Sequence, residues 1–117
     1  MYIGKVAERT GATPRAIRLY ESQGLIPPPQ RQGRYRVYNE TEIRAIALIK
    51  RAQEAGFTLA ELRSFINLKV RENRFPLELA RELILHKRDR LTQAIEALKL
   101  TQQNLESLAQ EIETHYA

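Results

Sequence analysis

Residues 3–38 read IGKVAERTGATPRAIRLYESQGLIPPPQRQGRYRVY. Ile3, Val6 and Ala7 recur at helical spacing and stop at Gly11, a residue suited to close a helix. Thr13-Pro14 then reads as an N-cap followed by the first helical position, where a missing N–H costs nothing. The helix opened there runs from Pro14 to Gln23 and ends at Gly24. Ile17, with Ala16 and Leu19, is expected to face inward, while Arg15 and Arg18 project outward. Two short helices joined by a tight turn form a helix-turn-helix, a motif whose second helix enters the DNA major groove.

Pro27-Pro28-Pro29 is a stiff connector that terminates helical structure. After it, Gly33 suits a turn and Tyr35, Val37 and Tyr38 favour a strand. The expected product is a small wing carrying Arg31, Arg34 and Arg36. Asn39 with Glu42 predicts a capping box for a third helix ending at Gly56, with Ile43, Ile46, Ala47 and either Ile49 or the aliphatic stem of Lys50 inward. Thr58 with Glu61 predicts a fourth helix whose buried stripe is Leu59, Leu62, Phe65, Ile66 and Val70. Pro76 marks the next boundary.

From Leu77 onward the pattern changes. Ile84, Leu91, Leu98, Leu105 and Ile112 recur every seven residues, accompanied by Ile95 and Leu108, and no Gly or Pro interrupts residues 77–117. An apolar seam in register on one uninterrupted helix predicts a coiled coil. A lone helix cannot bury such a stripe against itself, so the chain is expected to pair with a second copy as a homodimer. The expected organisation is a DNA-binding domain over residues 1–75 and a dimerisation helix over residues 76–117. The fold class is all-α with a small β wing.

The charge distribution points the same way. Of 117 residues, the first 75 hold 14 Lys/Arg against 7 Asp/Glu, and the remainder hold 5 against 7. Positive charge concentrated on residues 1–75 is the footprint of a polyanionic partner. The absence of cysteine excludes disulfides, thiolate metal sites and Cys nucleophiles within these residues. No apolar run approaches a membrane span and no signal-peptide core is visible, so a cytoplasmic protein with no membrane partner is expected. His86 and His115 are too far apart to form a ligand pair, and Glu78 and Glu82 read as solvated helix charges. With no nucleophile–base pair, phosphate-cradling loop or zinc spacing, neither enzyme activity nor a cofactor is expected.

Any single arginine on this surface is ordinary. Arg15, Arg18, Arg31, Arg34 and Arg36 together, interleaved with Tyr20, Tyr35 and Tyr38, form a set able to hold phosphates and read guanine. Tyr38 reads equally well as a core anchor that fixes the wing.

Several segments carry a family resemblance: Ile3-Gly4-x-Val6-Ala7, Thr10-Gly11, Arg15-x-Ile17-Arg18-x-Tyr20-Glu21, Gly24-Leu25-Ile26-x-Pro28, Tyr35-Arg36-x-Tyr38 and Ala55-Gly56-Phe57-Thr58-Leu59-x-Glu61-Leu62. Over about residues 2–70 the chain resembles MerR-type transcriptional regulators. The resemblance implies a winged-helix dimer joined by an antiparallel coiled coil. It also implies double-stranded promoter DNA as partner, bent and untwisted within an overlong spacer so that RNA polymerase can engage. It places Arg18 and Tyr20 as recognition-helix contacts and Tyr35 and Arg36 as wing contacts. Arg31 is their neighbour, and Thr13 and Arg15 belong to the same DNA-facing set.

Three departures stand out. Leu19 replaces an aromatic residue usual in the family. Gly33-Arg34-Tyr35 replaces Asn-Gly-Tyr, with Arg34 as an added phosphate contact. Leu77-Glu78-Leu79-Ala80 occupies the place where metal- and redox-sensing members carry a cysteine, which excludes thiolate sensing. Ala117 comes before any C-terminal drug-binding domain of that family, leaving three readings: an effector site beside the long helix, a chain cut short, or no small ligand sensed. Two other functional readings compete with the regulator. One is a coiled-coil adaptor whose basic domain is incidental. The other is an architectural or excisionase-like DNA-bending protein.

Overall fold

A computed structural model describes residues 1–117 and divides them into two compact units, Met1–Pro76 and Leu77–Ala117. The first contains α1 (Ile3–Thr10), α2 (Pro14–Ser22), β1 (Gln30–Gln32), β2 (Tyr35–Val37), α3 (Glu40–Glu54) and α4 (Leu59–Glu72). The second is one helix, α5 (Leu77–Tyr116). Helix predominates, and the only sheet is the two-stranded antiparallel hairpin.

Local chemistry accounts for the helix ends. Gly11 closes α1 at φ +78°, a left-handed conformation natural to Gly, and donates its N–H to the Ala7 carbonyl. Thr13 caps α2 by accepting from the Ala16 N–H at 3.1 Å. Both expected capping boxes form. Asn39 and Glu42 exchange bonds of 2.8 and 2.9 Å at the start of α3, and Thr58 and Glu61 exchange bonds of 3.1 and 3.0 Å at α4.

The core is built from Val6, Ala12, Ile17, Tyr20, Leu25, Ile26, Tyr38, Ile43, Ile46 and Ile49. α1 packs against both α2 and α3 and holds the helix-turn-helix on its support. Arg9 of α1 adds a two-pronged contact to Glu40 at 2.8 and 3.1 Å. α4 contributes only partly covered residues, including Leu59, Leu62 and Ile66. Val70, expected on its buried stripe, is 73% exposed. It lies in the last turn of α4, beyond the residues that reach the core.

Candidate nucleic-acid interface

α2 has two stripes. Ile17 and Tyr20, three residues apart, point into the core, whereas Arg15, Arg18, Leu19 and Ser22 follow the i, i+3, i+4, i+7 spacing of one exposed face. Leu19 therefore sits among the arginines and not in the core, contrary to the inward placement expected for it. Tyr20 is also displaced from its expected role. It is 1% exposed, and its hydroxyl donates to Gln53 Oε1 at 2.5 Å, tying the recognition helix to α3. Burial and the nearby Glu54 carboxylate raise its pKa. The signal for this was present in the three-residue spacing from Ile17.

The hairpin pairs Gln30 with Val37, Arg31 with Arg36 and Gln32 with Tyr35. Gly33, at φ +63°, occupies the first position of the two-residue loop Gly33–Arg34. A type II′ turn favours Gly there, and the backbone at Arg34 remains at negative φ. An Asn-Gly loop would suit the mirror-image type I′ instead, so the departure at Gly33-Arg34 is a change of turn chemistry. Arg31 reaches across the loop to donate to the Arg34 carbonyl at 3.1 Å. The Arg34 guanidinium lies 6.0 Å from the centroid of the Tyr35 ring, which is itself 62% exposed.

Sequence reasoning overlooked Tyr2. It forms an isolated antiparallel bridge with Val37, and the Tyr38 N–H donates to the Met1 carbonyl at 2.8 Å. The Tyr2 hydroxyl donates to Gln32 at 2.6 Å, and its ring meets Tyr35 edge-on with centroids 6.2 Å apart. The start of the chain thus extends the hairpin and buttresses the exposed Tyr35. The strand propensity of the lone Tyr2 could not show this, because its partner Val37 lies 35 positions further along the chain.

Tyr38, for which two readings stood open, is 2% exposed. Its hydroxyl is buried with no hydrogen-bond partner in the protein. Burial raises its pKa, opposed by the Arg36 and Arg18 charges and reinforced by the Glu21 and Glu42 carboxylates. The charged groups around it belong to α2, the wing and α3.

α2 and β2 enclose an open basin of about 700 Å³ lined by Thr13, Arg15, Ala16, Arg18, Leu19, Glu21, Ser22 and Arg36. The Arg36 Nε–H donates to Glu21 Oε2 at 3.0 Å, with the two side chains 27% and 16% exposed. Arg15 and Arg18 are exposed. The structure thus brings Thr13, Arg15, Arg18 and Arg36 around one basin. Arg31, Arg34 and Tyr35 lie on the adjoining hairpin, while Tyr20 and Tyr38 go to the core. On α5, Ile84, Leu91, Ile95, Leu98, Leu105, Leu108 and Ile112 are all half-exposed or more, and His86 and His115 are exposed.

A helix-turn-helix with a basic second helix, an arginine-bearing β wing beside it and a long helix after it defines a winged helix-turn-helix DNA-binding protein. A family model described as "MerR HTH family regulatory protein" matches residues 1–69, and another, "MerR, DNA binding", matches residues 43–108. The chain belongs to the MerR family and is a DNA-binding transcriptional regulator.

The HTH-type transcriptional regulator CueR of Escherichia coli is 36% identical over 110 residues, covering 93% of this chain and 81% of that protein. The ZntR homolog of Haemophilus influenzae is 35% identical over 107 residues, covering 91% and 79%. Among solved structures, PbrR691 from Ralstonia metallidurans CH34 in complex with lead(II) superposes with a TM-score of 0.71 at 26% identity, covering 94% of this chain and 86% of that one. HiNmlR, a MerR family regulator lacking the sensor domain and bound to promoter DNA, gives 0.67 at 19% identity, covering 97% and 89%, a likeness of fold. No helix of the chain is long and apolar enough to cross a membrane.

Proposed function

We propose that two copies of this chain pair through α5 and together grip a pseudo-palindromic promoter duplex. The observation that carries this is the seam on α5. Ile84, Leu91, Leu98, Leu105 and Ile112 stand in heptad register, each at least half exposed in the single chain. Water contact along such a stripe is unfavourable, and a second helix relieves it by knobs-into-holes packing.

Charge favours an antiparallel pair. Residues 81–90 carry Arg81, Lys87, Arg88 and Arg90 against two acids, while Glu106, Glu111 and Glu113 are the only charged groups from residue 100 on, His115 aside. Parallel pairing would set the acidic end against its copy; antiparallel pairing sets it against the basic end. At about 1.5 Å per residue, the 40 residues of α5 span about 60 Å, enough to separate two half-sites by a DNA turn of about 34 Å.

In this reading residues 1–75 bind DNA and residues 76–117 dimerise, in the cytoplasm. Arg15 and Arg18 read or clamp at the major groove from the capped start of α2. Arg31, Arg34, Tyr35 and Arg36 hold phosphates from the wing. Bending and untwisting of the spacer would then present the promoter to RNA polymerase. Direct catalysis has no part in this function.

Transcription from templates with lengthened and shortened spacers tests the reading, using a promoter recovered by footprinting upstream of the chain's own gene. Regulation that depends on spacer length supports it. Bending with no spacer-dependent effect on transcription would instead favour an architectural protein, and salt-insensitive, sequence-indifferent binding would favour an adaptor.

A further inference from the structure

We infer that Glu21 is a positioning residue for DNA binding: it latches the wing to the recognition helix through Arg36 and sets that guanidinium to receive a phosphate. The inference rests on the proposal that Arg36 is a wing contact, and it concerns a carboxylate that would by itself repel DNA.

Three observations carry it. First, Glu21 lies on α2 and Arg36 on β2, and their 3.0 Å bond is the ion pair that joins the recognition helix to the wing. The bond uses Arg36 Nε–H. A guanidinium has five N–H donors in a rigid plane. Holding the Nε–H on Glu21 therefore restricts the side chain while both terminal nitrogens stay available for a phosphate. Second, Glu21 is the more covered partner, at 16% exposure, while both residues line the basin that holds Arg15 and Arg18. Its charge is therefore engaged by Arg36 and is the less exposed of the two.

Third, the hairpin register sets Arg31 directly opposite Arg36. Like charges paired across two strands destabilise a hairpin. Arg31 turns to the Arg34 carbonyl, and Glu21 supplies the counter-charge on the Arg36 side. Without Glu21, the Arg36 side chain would be repelled by Arg31 and free to sample many rotamers. The loss on binding DNA would then include ordering a long flexible side chain.

The test measures affinity as a function of salt for a duplex enriched from a random-sequence library by the unmodified protein. The slope of log K against log salt counts phosphates neutralised, at about 0.9 for each contact. Arg36→Ala should flatten the slope by about 0.9 for each copy bound. If it leaves the slope unchanged, Arg36 is no phosphate contact and the inference falls with that reading. If Arg36 passes, Glu21→Ala should reproduce its flattened slope even though Arg36 is still present, and the double variant should be no worse than either single one. Glu21→Gln, which retains an acceptor for the Nε–H, should restore most of the slope.

A Glu21→Ala protein that binds more tightly, or with an unchanged or steeper slope, would show simple repulsion and overturn the latch while leaving Arg36 as a contact. Should Glu21→Ala fail to fold, Arg36→Lys carries the test. A lysine ammonium keeps the charge but has no rigid plane for Glu21 to orient and is held by that carboxylate as a point charge, so its slope should be flattened and then restored by adding Glu21→Gln, which releases it. A wild-type slope for Arg36→Lys overturns the inference.

Discussion

Arginines and tyrosines in the first 38 residues divide the labour of this protein by the direction in which they point. Arg18 is exposed on the outer stripe of α2. If it forks onto a base, Arg18→Ala should weaken binding by about 1–3 kcal/mol and relax preference at one base pair. Titrating matched and singly substituted duplexes checks both, and a uniform loss across sequences would make Arg18 a phosphate contact instead. Tyr38 is the opposite case. Its hydroxyl is buried and unpartnered, a state that costs free energy in the folded protein. Tyr38→Phe should leave DNA affinity unchanged and hold or raise the melting temperature; lower affinity at unchanged stability would show the hydroxyl reaching DNA.

Between elements, the join of α1 to α3 has a pH signature. Arg9 hydrogen-bonds and attracts Glu40, lowering the Glu40 pKa below its ordinary 4.5, and the Arg9 pKa is raised by the same contact. A lowered carboxylate pKa stabilises the folded state above the unfolded pKa, and this is lost as pH falls through the folded one. Both groups are exposed, so the effect is small and screened by salt. The melting-temperature difference between the parent and Arg9→Ala should therefore be present at neutral pH, shrink below about pH 4 and shrink in concentrated salt. A difference that persists in acid would assign the Arg9 contribution to packing. Helix ends such as the Asn39–Glu42 and Thr58–Glu61 boxes were legible in the sequence because their partners lie three residues apart. The Tyr2–Val37 bridge and the Arg9–Glu40 contact were not, because the pairs are separated by more than 30 residues.

For the assembly, Leu98 sits midway along the α5 seam at 66% exposure. Leu98→Lys should weaken the proposed dimer by at least about tenfold in Kd, since a charge would replace an apolar knob, and every 1.4 kcal/mol is tenfold. Sedimentation at falling concentration measures this, and a variant still dimeric where the parent begins to dissociate would displace the seam from Leu98. Operator affinity should fall as the proposed dimer is lost, because in that reading each copy supplies one recognition helix.

The amino-acid order alone sufficed for the capped helices, the turn at Gly33, the segregation of positive charge and the heptad stripe. All of these arise between residues close in the chain, where spacing translates directly into geometry. Direction was another matter. Leu19 faces the arginines, Tyr20 reaches Gln53, Tyr38 is sealed in the core and Arg36 leans on Glu21. Each depends on which distant surface lies across from it once the elements pack. A tyrosine carries both an apolar ring and a polar tip, and an arginine carries both a stem and a charge. Such side chains suit core and interface alike, and packing is what chooses between them.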